Sequence, residues 1–161
     1  MKALSGRQPW WWAILHAGKR IENRVWNTSY RGPILLHAAK GCTRDEYEDA
    51  IVWMENAGVI ASLADVPRLQ AMQRGGVVGR ARIVDVIRPW VPSLRVGGEP
   101  PGAPPFRSTL DRFYPAGIDH RWHMTEQYGF VLADVEPLPF APCAGSFGLF
   151  ELPDVVTAGT R

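Results

Sequence analysis

The chain has 161 residues, of which 46% are hydrophobic and 21% charged, with a formal net charge of +2. These are the proportions of a globular chain long enough to bury a core, and a single domain over residues 1–161 is the simplest expectation. No apolar run approaches the roughly 20 residues of a membrane-spanning helix, and two cysteines, Cys42 and Cys143, exclude a disulfide framework.

The N-terminal stretch MKALSGRQPWWWAIL lacks the aliphatic run and small-residue cleavage site of a signal peptide. With both thiols expected to be reduced, a cytoplasmic protein is predicted. Four scattered histidines show no zinc-ligand spacing, so neither a metal nor another cofactor is expected.

Lys2 to Ser5 alternates as a short first strand. Gln8-Pro9 opens a helix, Pro9 suiting the first helical position, where a missing N–H costs nothing. The helix WWWAILHAG closes at Gly18, a residue free to take the left-handed conformation that ends helices. Consecutive helical residues fan out by about 100°. At least one of Trp10, Trp11 and Trp12 is therefore expected at the surface or a groove edge, with two in the core.

The stretch from Gly18 to Lys40, GKRIENRVWNTSYRGPILLHAAK, carries the most chemistry. It reads as two strand-like runs joined by a turn at Tyr30-Arg31-Gly32. Strand alternation puts Arg20, Glu22, Arg24 and Trp26 on one face and Ile21, Asn23 and Val25 on the other. The charged face resembles the wall of a polar site. Residues 1–40 hold seven Lys and Arg against Glu22 alone, a net +6, which leaves −4 for the other 121 residues. That asymmetry points to an anionic ligand held at one face. Ordinary solvated charges, with Glu22 and Arg24 in a structural ion pair, would produce the same pattern.

Pro33 to Ala39 reads as a buried strand, almost continuously apolar. Thr43-Arg44-Asp45-Glu46 is a capping box starting a helix through about Ala57, with Tyr47, Ala50, Ile51 and Met54 on its apolar face and Gly58 closing it. Asp65-Val66-Pro67 suggests a further short helix ending at Arg74. Val77 to Val86 alternates as a strand, with Gly79 marking a bulge or a close backbone approach. Residues 88–118 are too rich in Pro and Gly for regular structure and read as an inserted loop, with a short helical turn near 108–113. Tyr128–Ala133 and Val135–Leu138 are strand material, Pro139–Pro142 a turn, Phe147–Leu152 a last strand, and the final nine residues a frayed tail. Short strands, early helices and no regular βαβ alternation give an α+β fold: a small, mainly antiparallel barrel with helices packed around it.

The segment RQPWWWAILHAGKRIENRVWNTSYRGPILLHAAK closely resembles the opening signature of ASCH (activating signal cointegrator homology) domains. It shares their RQPW start, Gly-Lys pair, Glu-x-Arg-x-Trp, Arg-Gly and Leu-His-Ala strand. YGFVLADVEPLPF and CAGSFGLFEL are similar to the closing strands, so the resemblance covers most of the chain except 88–118. It implies a PUA-like pseudo-barrel, mixed or antiparallel, that binds RNA, single-stranded nucleic acid or a modified nucleoside beside the first helix. Arg7, Gln8, Trp10, Lys19, Glu22, Arg24, Trp26, Tyr30 and Arg31 are the implied binding residues, Arg and Lys facing phosphates and aromatics stacking on bases.

The family also includes proposed ribonucleases and an amidohydrolase acting on acetylated cytidine. The amidohydrolase's catalytic Lys matches Lys19, while Glu22 stands where its Thr nucleophile would be and Glu126 is a candidate for its Glu. Lys19 and Glu22 are thus the candidate catalytic pair, Lys19 polarising a carbonyl and Glu22 acting as base. A ribonuclease would instead use His37 with Lys19 or Tyr30; His120 and His123, at i and i+3, would meet a metal or RNA, or simply belong to a polar loop. A His in an apolar strand is more often a satisfied core residue than a catalyst.

Overall fold

The computed structural model describes residues 1–89 and 114–153. Six strands form one mixed sheet: β1 (Lys2–Gly6), β2 (Ile21–Arg24), β3 (Gly32–Ala38), β4 (Gly76–Ile87), β5 (Tyr128–Pro142) and β6 (Leu149–Glu151). Their order is β2-β5-β4-β3-β1-β6. Only β1 and β3 run parallel; the other four pairs are antiparallel. The sheet curls into a half-barrel, the α+β PUA-like architecture. Two helices accompany it, α1 (Trp10–His16) and α2 (Arg44–Asn56), with short 3-10 turns at Leu63–Asp65, Leu69–Ala71 and His120–Trp122.

The core follows from strand alternation. Leu4, Leu36, Ala81, Ile83, Phe130 and Leu132 point into the curl, where Trp11 and Ile14 of α1 close it. The opposite face of β1 and β3, Ala3 and Leu35, packs with Val77 and Leu152. Both faces of β3 are covered, which is why its sequence is almost continuously apolar. Ala13, on another side of α1, joins Ala50 and Met54 of α2, together with Ile21 and Trp122. Of the three tryptophans, Trp11 is fully buried and Trp10 and Trp12 half-buried. Trp11 Nε1 donates to the His37 carbonyl at 2.7 Å, and its ring lies so close to Gly6 that a Cβ there would sit 2.6 Å from it. That contact ties α1 to β1 and β3.

Thr43 caps α2 with the full reciprocal capping box to Glu46. Gly79 has both expected properties: the β4–β5 register shifts beside it, and an added Cβ would meet Leu15 and the Glu136 carbonyl.

Other expectations are corrected. Pro9 stands at the N-cap of α1, one residue before the first helical position. β2 and β3 do not pair across a Tyr-Arg-Gly turn: β2 lies at the sheet edge against β5, and 25–31 crosses between distant strands. The segment after Asp65 forms no helix reaching Arg74, only isolated 3-10 turns, because Pro67 interrupts it and Arg68 is extended. Pro139–Pro142 is no turn but the end of a single 15-residue β5. Pro139 falls where the register with β4 slips between Val77 and Gly79, while Pro137 and Pro142 stay in register with Gly79 and Gly76. Asp134, in the left-handed region at φ 50°, lies at another such irregularity. The last strand is shorter than expected, leaving Phe147 outside it. Residues 90–113, with the expected helical turn near 108–113, and the tail 154–161 lie outside the described residues.

Candidate functional site

The end of α1 delivers Lys19. Gly18 takes φ 73°, and the backbone N–H groups of Ala17 and Lys19 both donate to the Ala13 carbonyl, at 3.0 and 3.1 Å. Arg20 Nη1 covers the same helix end by donating to the Ile14 and Lys19 carbonyls, so it serves α1, not the charged strand face. Lys19 turns inward and is 1% exposed. Its Nζ donates to Glu22 Oε2 at 2.9 Å and to the Ile21 carbonyl, and lies 5.6 Å from the centre of a Trp10 ring.

Glu22 is fixed on β2 opposite Phe130 and is itself buried. Its second oxygen, Oε1, accepts from Arg24 Nη2 at 2.9 Å. Arg24 Nη2 also donates to the Ser5 carbonyl at 2.7 Å, reaching across to β1. Arg24 Nε is the one buried side-chain nitrogen or oxygen among the described residues without a partner.

Two cations therefore flank one buried carboxylate. Burial by itself would push the Glu22 carboxyl up; Lys19 and Arg24 outweigh that and hold it below the ordinary carboxylate value. Burial pushes the Lys19 ammonium down, and Glu22 draws it part of the way back. The cluster keeps an excess positive charge under the surface.

Glu22 and Arg24 form part of the lining of an open cleft of about 1450 Å³. Trp10 and Trp26 line it with aromatic surface, Arg7 and Lys40 with positive charge, and the segment 142–148 makes the far wall. Lys19 sits behind Glu22 and does not itself line the cleft. Of the residues singled out from sequence, Arg7, Trp10, Glu22, Arg24 and Trp26 thus share one concavity, with Lys19 beneath. Arg7 is paired with Glu46 of α2 at the rim.

Three others lie elsewhere. Gln8 is buried, its amide donating to the Gln73 carbonyl at 3.1 Å and its oxygen accepting from Trp12 N at 3.1 Å, which satisfies an otherwise orphaned N–H of α1. Tyr30 donates its hydroxyl to the Pro33 carbonyl at 2.8 Å. Arg31 Nη2 lies 3.6 Å from Asp85. Glu126 is exposed and outside the cleft lining.

His37 borders the cleft, but both ring nitrogens are engaged, Nδ1 with Ser5 Oγ at 3.0 Å and Nε2 with the Cys143 carbonyl at 3.1 Å. His123 is buried, with Tyr114 and the Gln127 carbonyl as partners. Among the described residues no three His, Cys, Asp or Glu gather as metal ligands.

Sequence reasoning did not single out Lys40 or the 142–148 wall as site residues. The available signal was Gly145-Ser146-Phe147-Gly148, a large apolar ring between glycines in a connecting loop.

A family model of the ASCH domain matches residues 4–137. The chain belongs to the ASCH domain family. The match spans the α1 end, the Lys19–Glu22–Arg24 cluster and most of the residues in the four strand pairings of β1 to β5. It stops short of the 142–148 wall. ASCH domains are in general associated with nucleic acids. No curated protein matches the chain significantly. No helix among the described residues is long and apolar enough to cross a membrane.

Proposed function

We propose that this ASCH domain binds RNA, or a modified nucleotide within it, in the cleft between α1 and the 142–148 wall. The observation that carries this is one concavity combining an ionised carboxylate, a guanidinium, rim cations and two tryptophan faces. Arg7 and Lys40 suit phosphates; Arg24 and Glu22 suit the donor and acceptor groups of a base edge; Trp10 and Trp26 offer stacking surface. The cleft exceeds the roughly 300–1,000 Å³ of usual small-ligand pockets, which favours a chain of nucleotides over a free nucleoside.

Hydrolysis of an acetylated cytidine fits less well. Glu22, the candidate base, is held ionised by two cations and has both oxygens engaged, which makes it a weak proton acceptor.

The test is fluorescence anisotropy with labelled single-stranded RNA. Arg24→Ala should weaken binding roughly tenfold, the scale of a lost charged hydrogen bond, while Arg31→Ala, which does not line the cleft, leaves it unchanged. Equal losses in both would place the nucleic acid on another surface. Acetate release from acetylcytidine, lost in Lys19→Ala, would favour the hydrolase instead.

A further inference from the structure

We infer that the loop between β5 and β6 is a base clamp, with the Phe147 ring stacking on an unpaired base that enters the cleft; this rests on the nucleic-acid function proposed above. Phe147 is 101% exposed, the most exposed of the large hydrophobic residues among the described residues. It nonetheless belongs to the cleft lining. A ring that buries nothing within its own fold contributes nothing to the core, yet it stands where a ligand would cover it.

The loop's construction supports this role. Its base is anchored: Cys143 N donates to the Gly75 carbonyl at 3.1 Å, and the Cys143 carbonyl accepts from His37. His37 is held in turn by Ser5. Gly145 then passes directly over the imidazole, where a Cβ would come within 2.3 Å of Cε1, so the chain crosses the ring only because no side chain is present. Gly148, in the left-handed region at φ 67°, turns the chain into β6. An anchored root and two glycines hold a bare aromatic on the lining of a cleft that also carries Trp10 and Trp26.

A stacking ring is indifferent to which base it meets but requires that base to be unpaired. The ligand class is therefore single-stranded nucleic acid, or a strand with an extruded base, with the excess positive charge of the cluster and the rim holding its backbone. Charge complementarity favours this over a protein partner, because the cleft that Phe147 lines also carries Arg7, Arg24 and Lys40 against the single carboxylate of Glu22.

The experiment measures binding of a labelled single-stranded RNA, and of the same sequence as a duplex, to the full chain and to Phe147→Ala and Phe147→Trp. Phe147→Ala should melt with the parent's Tm, since the side chain touches no core, yet bind the single strand roughly 5- to 150-fold more weakly, the equivalent of about 1–3 kcal/mol of stacking. Phe147→Trp should retain or improve binding, and duplex should compete poorly. Undiminished binding by Phe147→Ala, with binding still weakened in Arg24→Ala, would overturn the clamp and leave the cleft's function standing. Equal affinity for duplex would also overturn it. No binding by the parent chain would overturn both, pointing to a protein surface at Phe147.

Discussion

Truncating Glu22 would strand Lys19 as a buried cation left with the Ile21 carbonyl and the Trp10 ring but no counter-charge. Glu22→Ala should therefore cost about 3–5 kcal/mol of stability, the usual penalty for breaking a buried pair from one side, measured by urea denaturation. Lys19→Met should cost less, because Glu22 keeps Arg24. His123 gives a pH signature. Its Nε2 faces the Gln127 carbonyl, which can only accept, so the neutral ring carries its proton there and accepts from Tyr114 at Nδ1. Burial pushes its pKa below the ordinary 6.5, against a smaller upward pull from the Gln127 carbonyl. The unfolded chain then takes up this proton first on acidification. Stability contributed by the neutral ring is full above 6.5 and lost as pH falls through the lower folded value. Tm should drop as pH is lowered from neutrality past 6.5, and the drop should be shallower in His123→Gln.

Elements differ in how far local chemistry specifies them. Thr43 and Glu46 satisfy each other's backbone within four residues, so the start of α2 is visible without any knowledge of its neighbours. Gly79 is equally visible, and its partners make it testable. An added methyl would meet Leu15, which can swing aside, and the Glu136 carbonyl, which cannot. Gly79→Ala should cost about 1–3 kcal/mol by denaturation, whereas Gly41→Ala, with open space around it, should stay within about 0.5 kcal/mol. The far half of β5 is the opposite case. Prolines at 137, 139 and 142 signal a turn locally, and only pairing with a bulged β4 keeps them extended. In the same way β2 and β3, neighbours in sequence, end three places apart in the sheet, because each satisfies its backbone edge against a strand distant in the chain, β5 and β4.

The cleft lining carries Arg7, Arg24 and Lys40 against Glu22, and a polyanion bound there should sense that charge through salt. If Arg7 and Lys40 each neutralise one phosphate, log affinity for single-stranded RNA should fall against log salt with a slope of about −1.4, reduced by about 0.7 in Lys40→Ala. Titrations at several salt concentrations check this, and a flat profile would show that the bound group is uncharged. The family, the start of α2 and the nearness of Lys19, Glu22 and Arg24 were contained in the sequence, because signature spacing, capping and short chain separation act over a few residues. Tertiary structure alone decided that Arg24 reaches Ser5, that His37 is engaged by the Cys143 carbonyl 106 positions away, and that Phe147 is left at the mouth of the cleft. Those contacts join segments distant along the chain, and no local preference of Ser5, Cys143 or Phe147 records which partner the curled sheet will bring to it.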